Sequence, residues 1–203
     1  MDIVWFPDLA AAAVNFKILS HKIELSLFNV SMKRIIPILI LFLLFQVSCK
    51  KEKTPDTSGT VTIDNTRSLS TTYYVYGFLF SEAKKVSTLE NPPPDITVDT
   101  DGNNVLFQAN NLKNSFYLFG EFNNASAAKT AFDNLITATV QEGDWEGLAY
   151  PVSENQIWIY RSGKEHYAKL RIISVIAEER SGQNYAECTF EWVYQPDGTL
   201  TFP

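Results

Sequence analysis

His166-Tyr167-Ala168-Lys169-Leu170-Arg171-Ile172 and, further on, Tyr185-Ala186-Glu187-Cys188-Thr189-Phe190-Glu191-Trp192-Val193-Tyr194 are runs in which apolar residues recur at every second position. A period of two belongs to a strand with one buried face. With the first run continued to Ala177, Ala168, Leu170, Ile172 and Ile176 share one face. In the second, Ala186, Cys188, Phe190, Trp192 and Tyr194 share a face, and Glu187, Thr189 and Glu191 point away. A turn centred near Ser181-Gly182 joins the two strands as a hairpin. It pairs Leu170 with Trp192 and Ile172 with Phe190 inside, and Arg171 with Glu191 outside as opposite charges. A slip of one residue sets Arg171 against the apolar face, so this register is favoured. Cys188 then faces the core as a small hydrophobe rather than a nucleophile.

Working outward, most of the chain from Val61 to Phe202 reads in the same way. Thr71 to Phe80 is a β-branched and aromatic run, and Ser115 to Phe122 is another. Ile96 to Thr100 and Val105 to Ala109 flank Asp101-Gly102-Asn103, a hairpin signal. Gln156 to Tyr160 sets Ile157 and Ile159 on one face. Pro92, Pro93 and Pro94 end a segment, because proline cannot sit inside a sheet. One segment has helical spacing instead: Asn124 as cap, then Ala128, Ala131, Phe132, Leu135, Ile136 and Val140, with Gly143 beyond. The expected fold is therefore mainly β, an antiparallel sheet or sandwich or a partly open barrel. One amphipathic helix, at about 124–140, covers a face or mouth of it.

The N-terminal part has a different character. Residues 35–45 are uncharged and apolar, and Lys33-Arg34 precede them. A basic start and an apolar run too short to span a bilayer describe a secretory signal. The run ends in Gln46-Val47-Ser48-Cys49, which resembles a bacterial lipobox, although Gln46 replaces the usual apolar residue. Met32 is then the expected start, 1–31 an upstream extension, 32–48 the signal peptide, and Cys49 the lipidated residue. Residues 49–60, polar after Cys49 and without aromatic or aliphatic anchors, read as a flexible tether before a single β-rich domain over 61–203. The chain from Cys49 on holds one histidine, His166, and no methionine.

Composition excludes several functions. A net charge of −6 argues against a nucleic-acid partner. Two cysteines cannot build a disulfide scaffold or an all-cysteine zinc site. Neither a Gly-x-Ser-x-Gly elbow nor a phosphate-binding Gly-Lys loop occurs, and with His166 as the one available base no catalytic residue is assigned. Asp99, Asp101, Gly102 and Asn103 imitate the start of a calcium loop, but Asn110 stands where the closing Glu belongs, so a plain turn is favoured. Glu142, Asp144 and Glu146 surround Trp145 and read as a solvated loop more readily than as a cation site. No metal is assigned. The aromatic surplus matters more. Tyr73, Tyr74, Tyr76, Phe78 and Phe80 put rings on both faces of one strand, so that one face fills the core. The other is covered by the helix or lines a ligand surface, with Tyr74 and Tyr76 as candidate contacts.

The strand from His166 to Ile172, the hairpin into Thr189-Phe190-Glu191-Trp192-Val193-Tyr194-Gln195-Pro196-Asp197-Gly198, and Ser48-Cys49-Lys50-Lys51 resemble HmuY-like lipoproteins of Bacteroidota. That resemblance implies an all-β domain tethered to the outer membrane, on its periplasmic face or at the cell surface, and haem capture in the best-known members. Those proteins ligate iron through two axial His or Met side chains, a pair that the chain beyond Cys49 lacks. Haem would have to use His166 with Tyr167 or another tyrosine. The expected function is a membrane-anchored lipoprotein with a ligand-binding or accessory domain, taking a small hydrophobic ligand or haem and working with an outer-membrane protein partner. The alternative is a structural or partner-binding surface lipoprotein without a small ligand.

Overall fold

The computed structural model describes residues 54–69, 72–111 and 113–203. The signal segment, Cys49 and Thr71 lie outside them. The chain forms two five-stranded antiparallel sheets and no closed barrel. The first sheet runs β1 (Ser58–Asp64), β12 (Gln183–Gln195), β11 (Tyr167–Arg180), β10 (Gln156–Arg161) and β8 (Phe116–Glu121). The second runs β5 (Lys84–Ser87), β4 (Tyr76–Leu79), β6 (Ile96–Thr100), β7 (Val105–Ala109) and β9 (Leu148–Val152). A small ribbon pairs β2 (Ser68–Leu69) with β3 (Tyr73–Tyr74).

The long hairpin β11–β12 organises the first sheet. Ser181 and Gly182 both take positive φ, the geometry of a tight primed turn whose twist matches that of the strands. Leu170 faces Trp192, Ile172 faces Phe190, and Arg171 reaches Glu191 at 2.7 Å, as the alternation requires. One detail departs from the expectation. A bulge at Ile173 shifts the register, so that Ser174 faces Thr189 and Val175 faces Cys188. The extra residue inverts the phase beyond it. Val175 and Ala177 therefore turn to the core in place of Ile176.

The sheets enclose one core: Phe78, Phe80, Phe107, Phe116, Phe190 and Trp192 pack between them at ring separations of 5.1–6.5 Å. Cys188 is fully buried there, and burial pushes its thiol well above the usual range. Gly77 lets β4 approach β6 closely, since a Cβ at that position would lie 2.2 Å from the carbonyl oxygen of Ile96.

A second cluster covers the outer face of the first sheet. Every residue of β10 is buried, Trp158 and Tyr160 toward the inter-sheet core, Ile157 and Ile159 toward Phe132, Leu135 and Phe202. Helix α1 (Ala125–Asn134) supplies part of that cover, and Asn124 caps it by accepting the Ala127 N–H at 2.9 Å. The helix is shorter than its apolar spacing predicts. Residues 136–138 leave it to pair with the C-terminal tail, Phe202 N–H donating to Ile136 and Ala138 N–H to Leu200. Ile136, Thr137, Thr139 and Val140 make a β-branched run that favours extended backbone. Lys169, buried on β11, donates to the last helical carbonyls, Phe132 O at 2.9 Å and Leu135 O at 3.0 Å, and closes the helix there.

The polar stretch before Val61 is also partly structured. β1 begins at Ser58, and Tyr194 N–H donates to Thr57 O at 2.7 Å, because the ladder needs only backbone groups. The described residues of the expected tether therefore belong to the sheet from Ser58 onward.

Candidate functional site

The hairpin's alternation continues past its last apolar pair to the open end of the sandwich, where His166 and Tyr194 lie on the inward face. Tyr194 faces Ala168 across the ladder, and Ala168 faces Tyr160 on the other side. A row Tyr160–Ala168–Tyr194 thus sets a buried methyl group between two phenols, both of which reach the cleft. Phe80 backs the row, 5.4 Å from the Tyr160 ring and stacked on Tyr194 at 6.1 Å. The opposite wall comes from the start of β6, where Asp95 follows the three prolines. Together they bound a cleft of about 270 Å³.

The polar groups of this cleft interlock. His166 Nδ1 lies 2.8 Å from the Tyr194 hydroxyl. Asp95 Oδ2 accepts the Phe80 N–H at 2.9 Å, and the Tyr160 hydroxyl donates to Oδ1 at 3.3 Å. Burial raises the affinity of Asp95 for its proton more than these hydrogen bonds and the nearby His166 and Lys164 lower it. Burial, with the Asp95 charge, pushes the Tyr194 hydroxyl up to about 12 and Tyr160 further still. Both phenols are neutral donors at physiological pH. Ser162 Oγ accepts the backbone N–H groups of Lys164 at 3.2 Å and His166 at 3.0 Å, leaving its own hydroxyl hydrogen available.

No family model, curated protein or solved structure matches the chain.

Of the side chains singled out in the sequence, the structure brings only His166 to this cleft. Tyr167 is on the other face of β11, its ring 6.1 Å from Trp145. Tyr74 and Tyr76 touch each other edge-on at 5.7 Å elsewhere, while Phe78 and Phe80 from the same run fill the core. Phe78 and Phe80 thus belong to the core, and Tyr74 and Tyr76 lie apart from the cleft. His166 and Tyr167 cannot serve together as axial ligands, since neighbouring strand residues point to opposite faces. The cleft does not fit haem. It is smaller than the roughly 300–1,000 Å³ of sites that engulf a drug-sized ligand. A half-buried carboxylate, Asp95, also borders it.

The acidic loop and the Asp-Gly turn find structural uses. Glu142 grips the buried Arg161 guanidinium at 2.5 and 2.9 Å, and that guanidinium lies 4.6 Å over the Trp145 ring. Asp144 closes a capping box with Gln141. Asp101 accepts the N–H groups of Asn103 and Asn104, and the Tyr150 hydroxyl donates to it at 2.7 Å. Among the described residues no cluster of His, Cys, Asp and Glu is arranged to hold a metal.

Proposed function

We propose that the protein is a lipid-anchored extracytoplasmic binding protein whose β-sandwich holds a small ligand at its open end, beside His166. The convergence of Asp95, Tyr160, Ser162, His166 and Tyr194 on one cleft carries the reading, since these groups retain hydrogen-bonding capacity where a concave surface opens. The anchor rests on the sequence: Lys33-Arg34, the apolar run 35–45, and Ser48-Cys49. An outer-membrane location follows from the resemblance to the Bacteroidota lipoproteins.

Two experiments test it. Cells expressing the chain are fed a clickable palmitate analogue. The wild type incorporates label and Cys49→Ala does not, and equal labelling of both removes the anchor assignment. The purified chain is then screened by thermal shift against neutral, anionic and cationic small molecules. A shift by any class that is lost on mutation of the cleft supports the reading. Silence across all classes favours the partner-binding alternative. One observation supports that alternative: Tyr73 on the ribbon, Tyr76 on the second sheet and Leu89 in the turn after β5 stand 69%, 43% and 56% exposed.

A further inference from the structure

The charges around the cleft narrow the chemistry of its ligand. Asp95 contributes a carboxylate that makes no ion pair among the described residues, while Lys164 and His166 contribute cationic or ionisable nitrogen on the facing side. A cationic ligand would meet Lys164, and an anionic one would meet Asp95 in a partly buried position where charge repulsion is poorly screened. A ligand without net charge meets neither penalty, and one without formal charges also avoids stripping ions of its own of their water. The hydrogen-bonding groups have the matching pattern. Asp95 Oδ1 accepts a long hydrogen bond from Tyr160 at 3.3 Å and, with a second lone pair, has room for another donor. Ser162 keeps a free hydroxyl hydrogen, and the Lys164 ammonium is a further donor. The cleft thus offers an acceptor in Asp95 and donors in Ser162 and Lys164. Leu79 and the prolines Pro92, Pro93 and Pro94 form an apolar wall next to it.

Resting on the binding reading above, we infer that the cleft takes a neutral polyhydroxylated molecule of monosaccharide size, a sugar ring or the terminal residue of a glycan. Its hydroxyls meet Asp95, Ser162 and Lys164, and its C–H face lies on the proline wall. A ring-shaped solute with hydroxyls on its edge matches a cleft of about 270 Å³ that offers both polar groups and an apolar proline segment. Ordered water satisfies the same groups when no ligand is bound, so affinity comes from hydroxyls that reproduce the water's hydrogen bonds.

The test is saturation-transfer NMR on the full chain in detergent. The probes are D-glucose, D-galactose and N-acetyl-D-glucosamine, with ethylammonium and acetate as charged comparisons. At least one sugar receives saturation, and neither ion does. Asp95→Asn weakens that sugar about ten-fold, the loss of one hydrogen bond to a charged group. Lys164→Met, at an exposed side chain whose loss leaves the fold intact, weakens it several-fold and guards against an Asp95→Asn protein that fails to fold. Binding of ethylammonium or acetate without any sugar overturns the sugar assignment and leaves the cleft as a binding site. Binding of no probe overturns the assignment too, and the thermal-shift screen then decides the broader reading separately. Sugar binding that both variants leave unchanged places the sugar elsewhere and overturns the inference.

Discussion

Deleting Ile173 should cost little, although it removes a residue from the middle of the longest hairpin. Ile172 faces Phe190 and Ser174 faces Thr189, so two residues of β11 oppose one position of β12 at the bulge. Without Ile173 the ladder becomes continuous. Ile172, Val175 and Ala177 still face inward, and β12 keeps its pairing with β1. The lost packing is that of one side chain already 37% exposed, about 1–2 kcal/mol. Deleting Thr189 on the opposite strand does the reverse. It inverts β12 below Phe190, turns Cys188 and Ala186 out of the core and points Glu187 into it. Two lost core contacts and an unpaired buried carboxylate cost on the order of 4 kcal/mol or more. That approaches the whole stability of many domains, about 5–15 kcal/mol. Urea titration followed by tryptophan fluorescence reads the difference, since Trp158 and Trp192 are both buried. Equal losses for the two deletions, or the larger loss for Ile173, would refute the reading of the bulge as an inserted residue that preserves the face on both sides of it.

Other perturbations test single contacts. Asn124→Ala removes the cap from the Ala127 N–H, and we expect a loss of about 1 kcal/mol in urea unfolding. Gly77→Ala drives a methyl group into the Ile96 carbonyl 2.2 Å away; the β4–β6 pair must separate, costing about 1–3 kcal/mol or more, and an unchanged melting temperature would contradict that close approach. Burial holds the Lys169 ammonium below the ordinary lysine range, so the folded state releases this proton at a lower pH than the unfolded chain does. The unfolded state then binds more protons, and stability rises with pH up to the ordinary lysine value of about 10.4. Relative to Lys169→Met, the wild type should therefore gain stability as pH rises through the alkaline range toward about 10.4, and a difference that stays constant would refute the depressed lysine.

Register was readable from the sequence because it depends on parity and charge. Arg171 opposite Glu191 and Trp192 opposite Leu170 follow from alternation and a turn at Ser181-Gly182. The bulge was not readable, because Ile173 and Ile176 are each as apolar as the residues that face the core, so composition cannot show where the phase inverts. The helix end failed for a related reason. Leu135, Ile136 and Val140 continue the helical spacing, but the tail from Leu200 to Phe202 offers residues 136–138 a strand partner from far along the chain. Lys169 finishes the stop from a third element, β11, and nothing within 124–140 signals it.

The site has the same division. Parity alone places His166 and Tyr194 on one face and Tyr167 on the other, and cross-strand pairing puts Tyr160 in the same row as Tyr194. Those facts were enough to prefer His166 with Tyr194 over His166 with Tyr167, had the alternation been carried past the last apolar pair. Asp95 was beyond reach. It follows three prolines in a segment that reads as an end rather than a site, and it meets Tyr160 only because the second sheet folds over the first. A cleft between two sheets takes its floor from one sheet's pattern and its opposite wall from the other's. Alternation reveals the floor and is silent about the wall. The charge balance of this cleft, on which its preference for a neutral ligand depends, is set by that wall: without Asp95 the remaining Lys164 would favour an anion.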